Sequence, residues 1–327
     1  MDFIQPLNDS QMTQIMTQIM EGNSTEPEIK TFLTTLANRG ETVEEITAAA
    51  KVLRTKATKI NAPANAIDCC GTGGDGHATY NISTAVAIIA ASCSVPIAKH
   101  GNRASSSKSG AADVLEELGA NLNAPQMTLE RTLTDLGFAF LMAPNHHQSM
   151  KHVATARKKI GKRTIFNLLG PLVNPAGTKR QLIGVFDKKW LTPIAETLHN
   201  LGTETAWIVH SQDGLDEISI GAPTDIAKLE NGTITETTLT PDDFGLATHP
   251  LQDIKGGDAK QNATALLDIL NGTKNAYRDI VLANTAAVLC IHGTETNLKS
   301  AVKTAAEAID SKKSLALIQT YIERTNV

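Results

Sequence analysis

The sequence predicts an α/β protein in two parts, a small all-helical domain and a larger α/β domain with a central, mostly parallel sheet. Three observations carry that prediction. A chain of 327 residues is long enough for a sizeable core and two lobes. Residues 1–65 show only helical periodicity. From Ala66 onward, short apolar runs alternate with helical patterns in the order strand, loop, helix, strand, helix, which is how a parallel sheet with crossover helices is written.

The elements follow in order. "NDSQMTQIMTQIMEG" opens on capping residues, carries Ile and Met at helical spacing and stops at Gly22. "TEPEIKTFLTTLANRG" has Pro27 in its first turn and ends on Gly40, and "TVEEITAAAKVLRTKA" begins as a capping box, Thr42 answered by Glu45. "AIDCC" is then a strand, "NISTAVAIIAASC" a helix, "VPIAKHGN" a strand and "SSKSGAADVLEELG" a helix. Helical patterning returns from about Met127, so the helical domain is expected to be discontinuous: residues 1–65 with an insertion at about 127–178. The α/β domain is then 66–126 and 179–327. Within it "RQLIGVF" and "TAWIVHS" read as strands, "EISI" and "DIAKLENGTITETTL" as short strands with loops, and four helical patterns follow from Ala259.

Composition narrows the function. The formal charge is −4 and the pI about 6.1, so no global field draws the chain to nucleic acid or an anionic membrane, and an anionic ligand must be held by local groups. "MDFIQPLNDSQM" lacks a basic region before an apolar run, and "TAVAIIAASCSVPIA" is too short and interrupted to span a bilayer. A cytoplasmic location is expected. Cys69, Cys70, Cys93 and Cys290 form no C-x-x-C pair and read as buried reduced thiols, the first two on opposite faces of a strand.

Four stretches carry chemistry. In "DCCGTGGDGHATYNIST", Gly71, Gly73 and Gly74 let backbone N–H groups approach an anion. Asn81, Ser83 and Thr84 stand where a helix begins and negative charge is favoured, and Ser83 suits a hard cation. The stretch matches neither a Walker A loop nor a dinucleotide fingerprint. "KHGNRASSSKSG" puts cations, an amide and three serines at the next strand-to-helix junction, the edge where open α/β sheets bind ligands. Two such junctions in succession point to a polyphosphate. The adjacent acids Asp216 and Glu217 then become Mg²⁺ ligands rather than a solvated turn. In "SMKHVATARKKIGKR", Arg157 sits among Val153, Ala154 and Ile160 and suits bidentate capture of a carboxylate; without interleaved aromatics the run does not read as a nucleic-acid patch. His146, His147 and His152 lack the acid or thiol that would complete a metal site and read as structural or pocket-lining.

Together, "GTGGD", "NIST", "KHGNRASSSKSGAADVLEELG", "RTIFNLLGPLVNPA", "DGLDE" and "GGDAKQNA" resemble the anthranilate phosphoribosyltransferase family of tryptophan biosynthesis, over the chain up to about residue 300. The resemblance implies a nucleoside phosphorylase-like fold, a homodimer through the helical domain, and Mg²⁺. It implies transfer of the phosphoribosyl group from 5-phosphoribosyl 1-diphosphate to the amine of anthranilate. It places the phosphoribosyl diphosphate on Gly71, Gly74, Asp75, Thr79, Asn81, Ile82, Ser83 and Thr84. That site continues through Lys99, His100, Gly101, Asn102, Arg103, Ala104, Ser105, Ser106 and Ser107 to Ala111. Ser83, Asp216 and Glu217 match the magnesium positions. Gly71, Asn102 and Arg157 match the anthranilate positions, with His147 and Pro171 lining the approach. No acid–base residue is implied, because an aromatic amine is already neutral at pH 7.

Ser211–Gln212, Tyr80 and Cys69–Cys70 depart from the family's commoner residues and read as packing variation. The alternatives are a nucleoside phosphorylase and a non-catalytic nucleic-acid-binding paralogue of the same fold. Arg157 with Asn102 favours a carboxylated aromatic acceptor over the first. The acidic balance disfavours the second.

Overall fold

The computed structural model describes residues 3–104 and 108–327. Its amino-terminal lobe is α1 (Asp9–Met20), α2 (Glu26–Arg39) and α3 (Val43–Lys56). Each opens on a reciprocal capping box, with Asn8 and Gln11, Thr25 and Glu28, and Thr42 and Glu45 as partners. Glu45 does more than cap. Fully buried, it also accepts from the Leu7 N–H at 2.8 Å and pairs with Arg39, joining the approach to α1, the end of α2 and the start of α3. Met12, Met16 and Ile19, Phe32, Leu33 and Leu36, and Ile46, Ala49, Ala50 and Leu53 form the inward stripes of the three helices.

The larger lobe begins with β1 (Ile67–Gly71), α4 (Ile82–Ser92), β2 (Ile97–Gly101), α5 (Ala111–Glu117), α6 (Gln126–Asp135) and β3 (Phe138–Met142). The chain then leaves the sheet through α7 (Ala143–His146), α8 (Lys151–Ile160) and α9 (Ile165–Leu169). It returns as β4 (Arg180–Gly184), α10 (Leu191–Asn200), β5 (Thr205–Ser211), β6 (Thr224–Glu230) and β7 (Thr233–Leu239). The short α11 (Pro241–Phe244) precedes four closing helices, α12 (Ala259–Leu270), α13 (Ala276–His292), α14 (Leu298–Asp310) and α15 (Lys313–Thr325).

The seven strands run β3-β2-β1-β4-β5-β6-β7. The first five pair in parallel and the last two add antiparallel. Asn231 and Gly232, both at positive φ, make the tight turn between β6 and β7. Side chains alternate across the sheet. Cys69, Leu182, Trp207 and Val209 join the core built with α4 and α13, whereas Ile183, Ala206 and Ile208 join the core that includes α1–α3. The helical lobe therefore packs directly on one face of the sheet. Cys69 and Cys70 do face opposite sides, and among the described residues all four thiols are free.

Two expectations are corrected. The helical reading from Met127 fails at Phe138–Met142, which is a strand paired in parallel with β2. "FAFLM" is buried throughout, and a continuous apolar run has neither the period of a strand nor that of a helix. The helical insertion thus starts at residue 143. "EISI" is not a strand either. The Ile218 N–H donates to Asn284 Oδ1 (3.0 Å), the Ser219 N–H to Thr224 Oγ1 (3.0 Å), and the Ile218 carbonyl accepts from Asn284 Nδ2 (2.8 Å). Side chains satisfy this backbone in place of a ladder.

Candidate active site

The carboxyl ends of β1, β2 and β4 meet at one edge of the sheet, the position where open α/β folds bind ligands. They form one wall of a cleft of about 700 Å³, and α7–α9 with the segment after α9 form the other. Gly71 and Gly184, register partners at the ends of β1 and β4, leave room for Asp216. A Cβ on Gly71 would stand 2.7 Å from Asp216 Oδ2, and one on Gly184 would stand 1.5 Å from the Asp216 carbonyl oxygen. The Gly73 N–H donates to Asp216 Oδ2 at 2.8 Å. Gly73, Gly74 and Gly76 adopt φ of 65°, 78° and 86°, open to glycine and strained for other residues.

Behind this loop lies a dense charge cluster. Lys99 is only 1 % exposed; its ammonium donates to the Cys69 carbonyl (2.7 Å) and to Ser83 Oγ (3.2 Å). Burial pushes the Asp216 carboxyl up to about 7, assisted by the adjacent Asp75 and opposed by the Gly73 N–H. Glu217 is driven well above the usual carboxylate range by burial and then by Asp216, with Lys99 opposing. Buried Asp68 is also raised by burial, and it accepts from the His100 N–H at 3.1 Å. Burial raises the Cys69 thiol to about 12, so it remains protonated. Asp68 and Glu217 share the Lys99 ammonium as their opposing charge, whereas Asp216 faces Asp75. Their raised proton affinities mark a place where further positive charge would be taken up.

The loops are held from a distance. Asn81 Oδ1 accepts from Asn262 Nδ2 (2.7 Å), and Asn262 Oδ1 accepts from the Gly257 N–H (2.7 Å). Tyr277 stacks on Tyr80, ring centroids 4.4 Å apart, and its hydroxyl donates to the Asn81 carbonyl. Gly256 packs so close to Thr79 that a Cβ would lie 2.6 Å from the Thr79 carbonyl oxygen. In the loop after β2, Asp113 accepts from the Ala104 (2.9 Å) and Gly110 (2.8 Å) N–H groups and so closes the turn into α5.

On the facing wall, Arg157 lies over the Phe166 ring at 5.3 Å. It is partly buried, next to buried Ala156 and ahead of exposed Lys158 and Lys159, and burial lowers its proton affinity. Among the described residues no carboxylate pairs with it. His100 and His147 approach with ring centroids 5.2 Å apart, both with a buried Nε2 lacking a partner. Burial holds them neutral, at about 3 and about 4.

The cleft brings together Gly71, Gly74, Ser83, Lys99, His100, Gly101, Asn102, Arg103, Ala104, Ala111, His147, Arg157 and Pro171 from the sequence prediction. Asp75, Thr79, Asn81, Asp216 and Glu217 do not line the cleft; Asp216 reaches it through the Gly73 N–H. Ile82 and Thr84 have buried side chains in α4, and the Ile82 N–H donates to the Tyr80 carbonyl at 2.9 Å. Arg103 is engaged by Asp113 (3.1 Å) and Glu116 (2.6 Å) rather than left as an uncommitted cation. Ser105, Ser106 and Ser107 lie outside the described residues. His146 binds the Thr58 carbonyl (2.9 Å), as a structural histidine does. Sequence reasoning missed Asp113, Asn262 and Phe166. The "GGDAKQNA" motif contained Asn262, but only the fold shows that it reaches Asn81.

Residues 3–57 match the helical bundle domain of the glycosyl transferase family, and residues 63–315 match its a/b domain. The chain is thus of the glycosyl transferase class that pairs these two lobes. It is 52% identical to the anthranilate phosphoribosyltransferase of Rhodospirillum rubrum, over 94% of this chain and 88% of that one. It is 50% identical to that of Azospirillum brasilense, over 98% and 90%. The chain belongs to the anthranilate phosphoribosyltransferase family. Its fold superposes on the Thermus thermophilus enzyme with a TM-score of 0.94 at 36% identity, covering 99% of this chain and 98% of that one. The Saccharomyces cerevisiae enzyme in complex with PRPP and Mg gives 0.90 at 30%, covering 98% and 94%.

Proposed function

We propose that this chain transfers the 5-phosphoribosyl group of 5-phosphoribosyl 1-diphosphate to the amine of anthranilate, in tryptophan biosynthesis. Diphosphate leaves C1 with the bonding electron pair, the amine nitrogen attacks C1, and the nitrogen then gives up a proton. The observation that carries this reading is the pairing of two half-sites across one cleft. One is a glycine loop and helix amino terminus beside buried Lys99 and the partly buried Asp216 and Glu217. The other is a guanidinium with no acid partner among the described residues, seated on an aromatic ring.

Gly71, Gly74, Asp75, Thr79 and Asn81–Thr84 hold the phosphoribosyl diphosphate, continued by Lys99–Ser107 and Ala111. The backbone N–H groups and Lys99 stabilise charge that grows on the leaving group. Arg157, with Asn102 and Gly71, fixes the carboxylate so that the ortho amine faces C1, and His147 and Pro171 line its approach. Ser83, Asp216 and Glu217 would hold Mg²⁺, which supplies charge neutralisation at the diphosphate when bound. The donor set fits, because these are hard oxygens close together, and a divalent cation would displace the protons that burial and the neighbouring acid retain on them. The helical domain is residues 1–65 with 143–178, and the α/β domain is the remainder. The helical lobe forms a homodimer, and the enzyme works in the cytoplasm on small molecules, without nucleic acid or membrane.

The test follows anthranilate fluorescence after adding phosphoribosyl diphosphate, with Mg²⁺ and then with EDTA. Metal-dependent loss of the signal with release of diphosphate is expected. An undiminished signal from folded protein would refute the reading.

A further inference from the structure

Arg163 stands outside both half-sites yet touches the structures that form them. It lies in the short link between α8, which carries Arg157, and α9, which carries the Phe166 ring beneath Arg157. Its guanidinium donates to the Gly74 carbonyl, and the same group lies over the Phe186 ring at 4.1 Å. Phe186 is itself tied to the glycine loop, its N–H donating to Thr72 Oγ1 at 3.0 Å, while the Thr72 N–H donates to the Gly184 carbonyl at 2.8 Å. Three segments distant in sequence therefore meet at one side chain: the glycine loop, the exit of β4 and the link between α8 and α9. Gly74 lines the cleft and Arg163 does not.

The chemistry of this contact is specific. Gly74 sits at φ 78° in a loop whose Gly73 and Gly76 are also at positive φ, so it has no side chain of its own to hold the orientation of its carbonyl. In a trans peptide the Gly74 carbonyl and the Asp75 N–H point in opposite directions. Anchoring the carbonyl on Arg163 thereby sets which way the N–H is presented. An arginine suits the task, because one planar group can donate to a carbonyl and stack on an aromatic face at once, which an ammonium cannot do.

We propose that Arg163 is a positioning residue, a latch that fixes the Gly74 peptide in its anion-binding orientation and ties it to the wall carrying Arg157. Loss of the latch should loosen both half-sites together, unlike loss of Arg157, which acts on one. The inference deepens the transferase reading and rests on it.

The experiment compares Arg163→Met and Arg163→Lys with wild type in steady-state kinetics, and in hydrogen exchange of residues 73–76 without substrate. Removing a charge-assisted bond predicts roughly a tenfold fall in kcat/KM for Met, with both KM values raised. It also predicts faster exchange at 73–76, an unchanged far-UV spectrum, and partial recovery with Lys. A rise in the phosphoribosyl diphosphate KM alone, with exchange unchanged, would mean direct contact with phosphate and would overturn the latch. Unchanged exchange with unchanged kinetics would overturn it too. If the Met variant does not fold, exchange in the Lys variant decides. An inactive wild-type protein would remove the transferase reading, while exchange at 73–76 would still decide the latch.

Discussion

Replacing Gly71 by Ala probes the site through a single methyl group. Gly71 is not at positive φ, so alanine costs nothing in the backbone there. The new Cβ would meet Asp216 Oδ2 at 2.7 Å, whereas ordinary contact begins at 3.4 Å. The carboxylate must therefore retreat by about 0.7 Å, and a retreat directed away from the Gly73 N–H lengthens that 2.8 Å bond to at most about 3.5 Å, past useful hydrogen-bond length. Hydrogen bonds to charged groups contribute about 1.5–3 kcal/mol, which corresponds to roughly 10- to 100-fold in rate. Steady-state assays across a Mg²⁺ titration should show kcat/KM lowered within that range and more metal needed for half-maximal activity, with a melting temperature close to wild type. Gly184→Ala is the contrasting case. Its Cβ would meet a main-chain oxygen at 1.5 Å, and that protein should fail to fold. A Gly71→Ala enzyme within threefold of wild type, with the same metal profile, would refute the idea that this glycine exists to seat Asp216.

Arg157→Ala should raise the anthranilate KM far more than that of the phosphoribosyl substrate, and parallel rises in the two would count against its role at the carboxylate. Asp216→Asn combined with Glu217→Gln should lower activity and metal dependence together; an unaltered Mg²⁺ titration would remove both acids from the site. Stability should fall in acid because of His147, whose folded value of about 4 lies below the ordinary 6.5 through burial. The unfolded chain takes up a proton that the folded one refuses, so this contribution is complete above about pH 6.5 and declines as pH falls towards 4, by up to about 1.4 kcal/mol per pH unit. Urea melts at pH 7, 5.5 and 4.5 should show a shallower pH dependence in His147→Gln; equal slopes in the two proteins would contradict the assignment.

What could be read from the sequence was whatever the backbone or a helix end demands locally. Gly71, Gly73 and Gly74 announce a strand that turns and exposes its amides, and Thr42 with Glu45 announces a helix start. Lys99 was legible as a cation at a strand end, though not as one sealed behind Ser83 and the Cys69 carbonyl. The failures have a common cause. "FAFLM" carries no period, because both faces of this parallel strand are buried even though it stands at the edge of the sheet. "EISI" has the alternation of a strand, yet Asn284 and Thr224 supply its backbone partners. Asn81 and Asn262 are 181 residues apart, and neither shows in its own neighbourhood that it needs the other. Arg103 looked like an uncommitted phosphate ligand until α5 placed Asp113 and Glu116 against it. The groups proposed to contact substrate are thus the legible ones, since each answers to chemistry at its own position. The groups that aim them, Asp113, Asn262 and Arg163, answer to chain segments brought together only by the fold. A substitution among these three should therefore alter catalysis without changing the identity of any residue predicted to touch substrate.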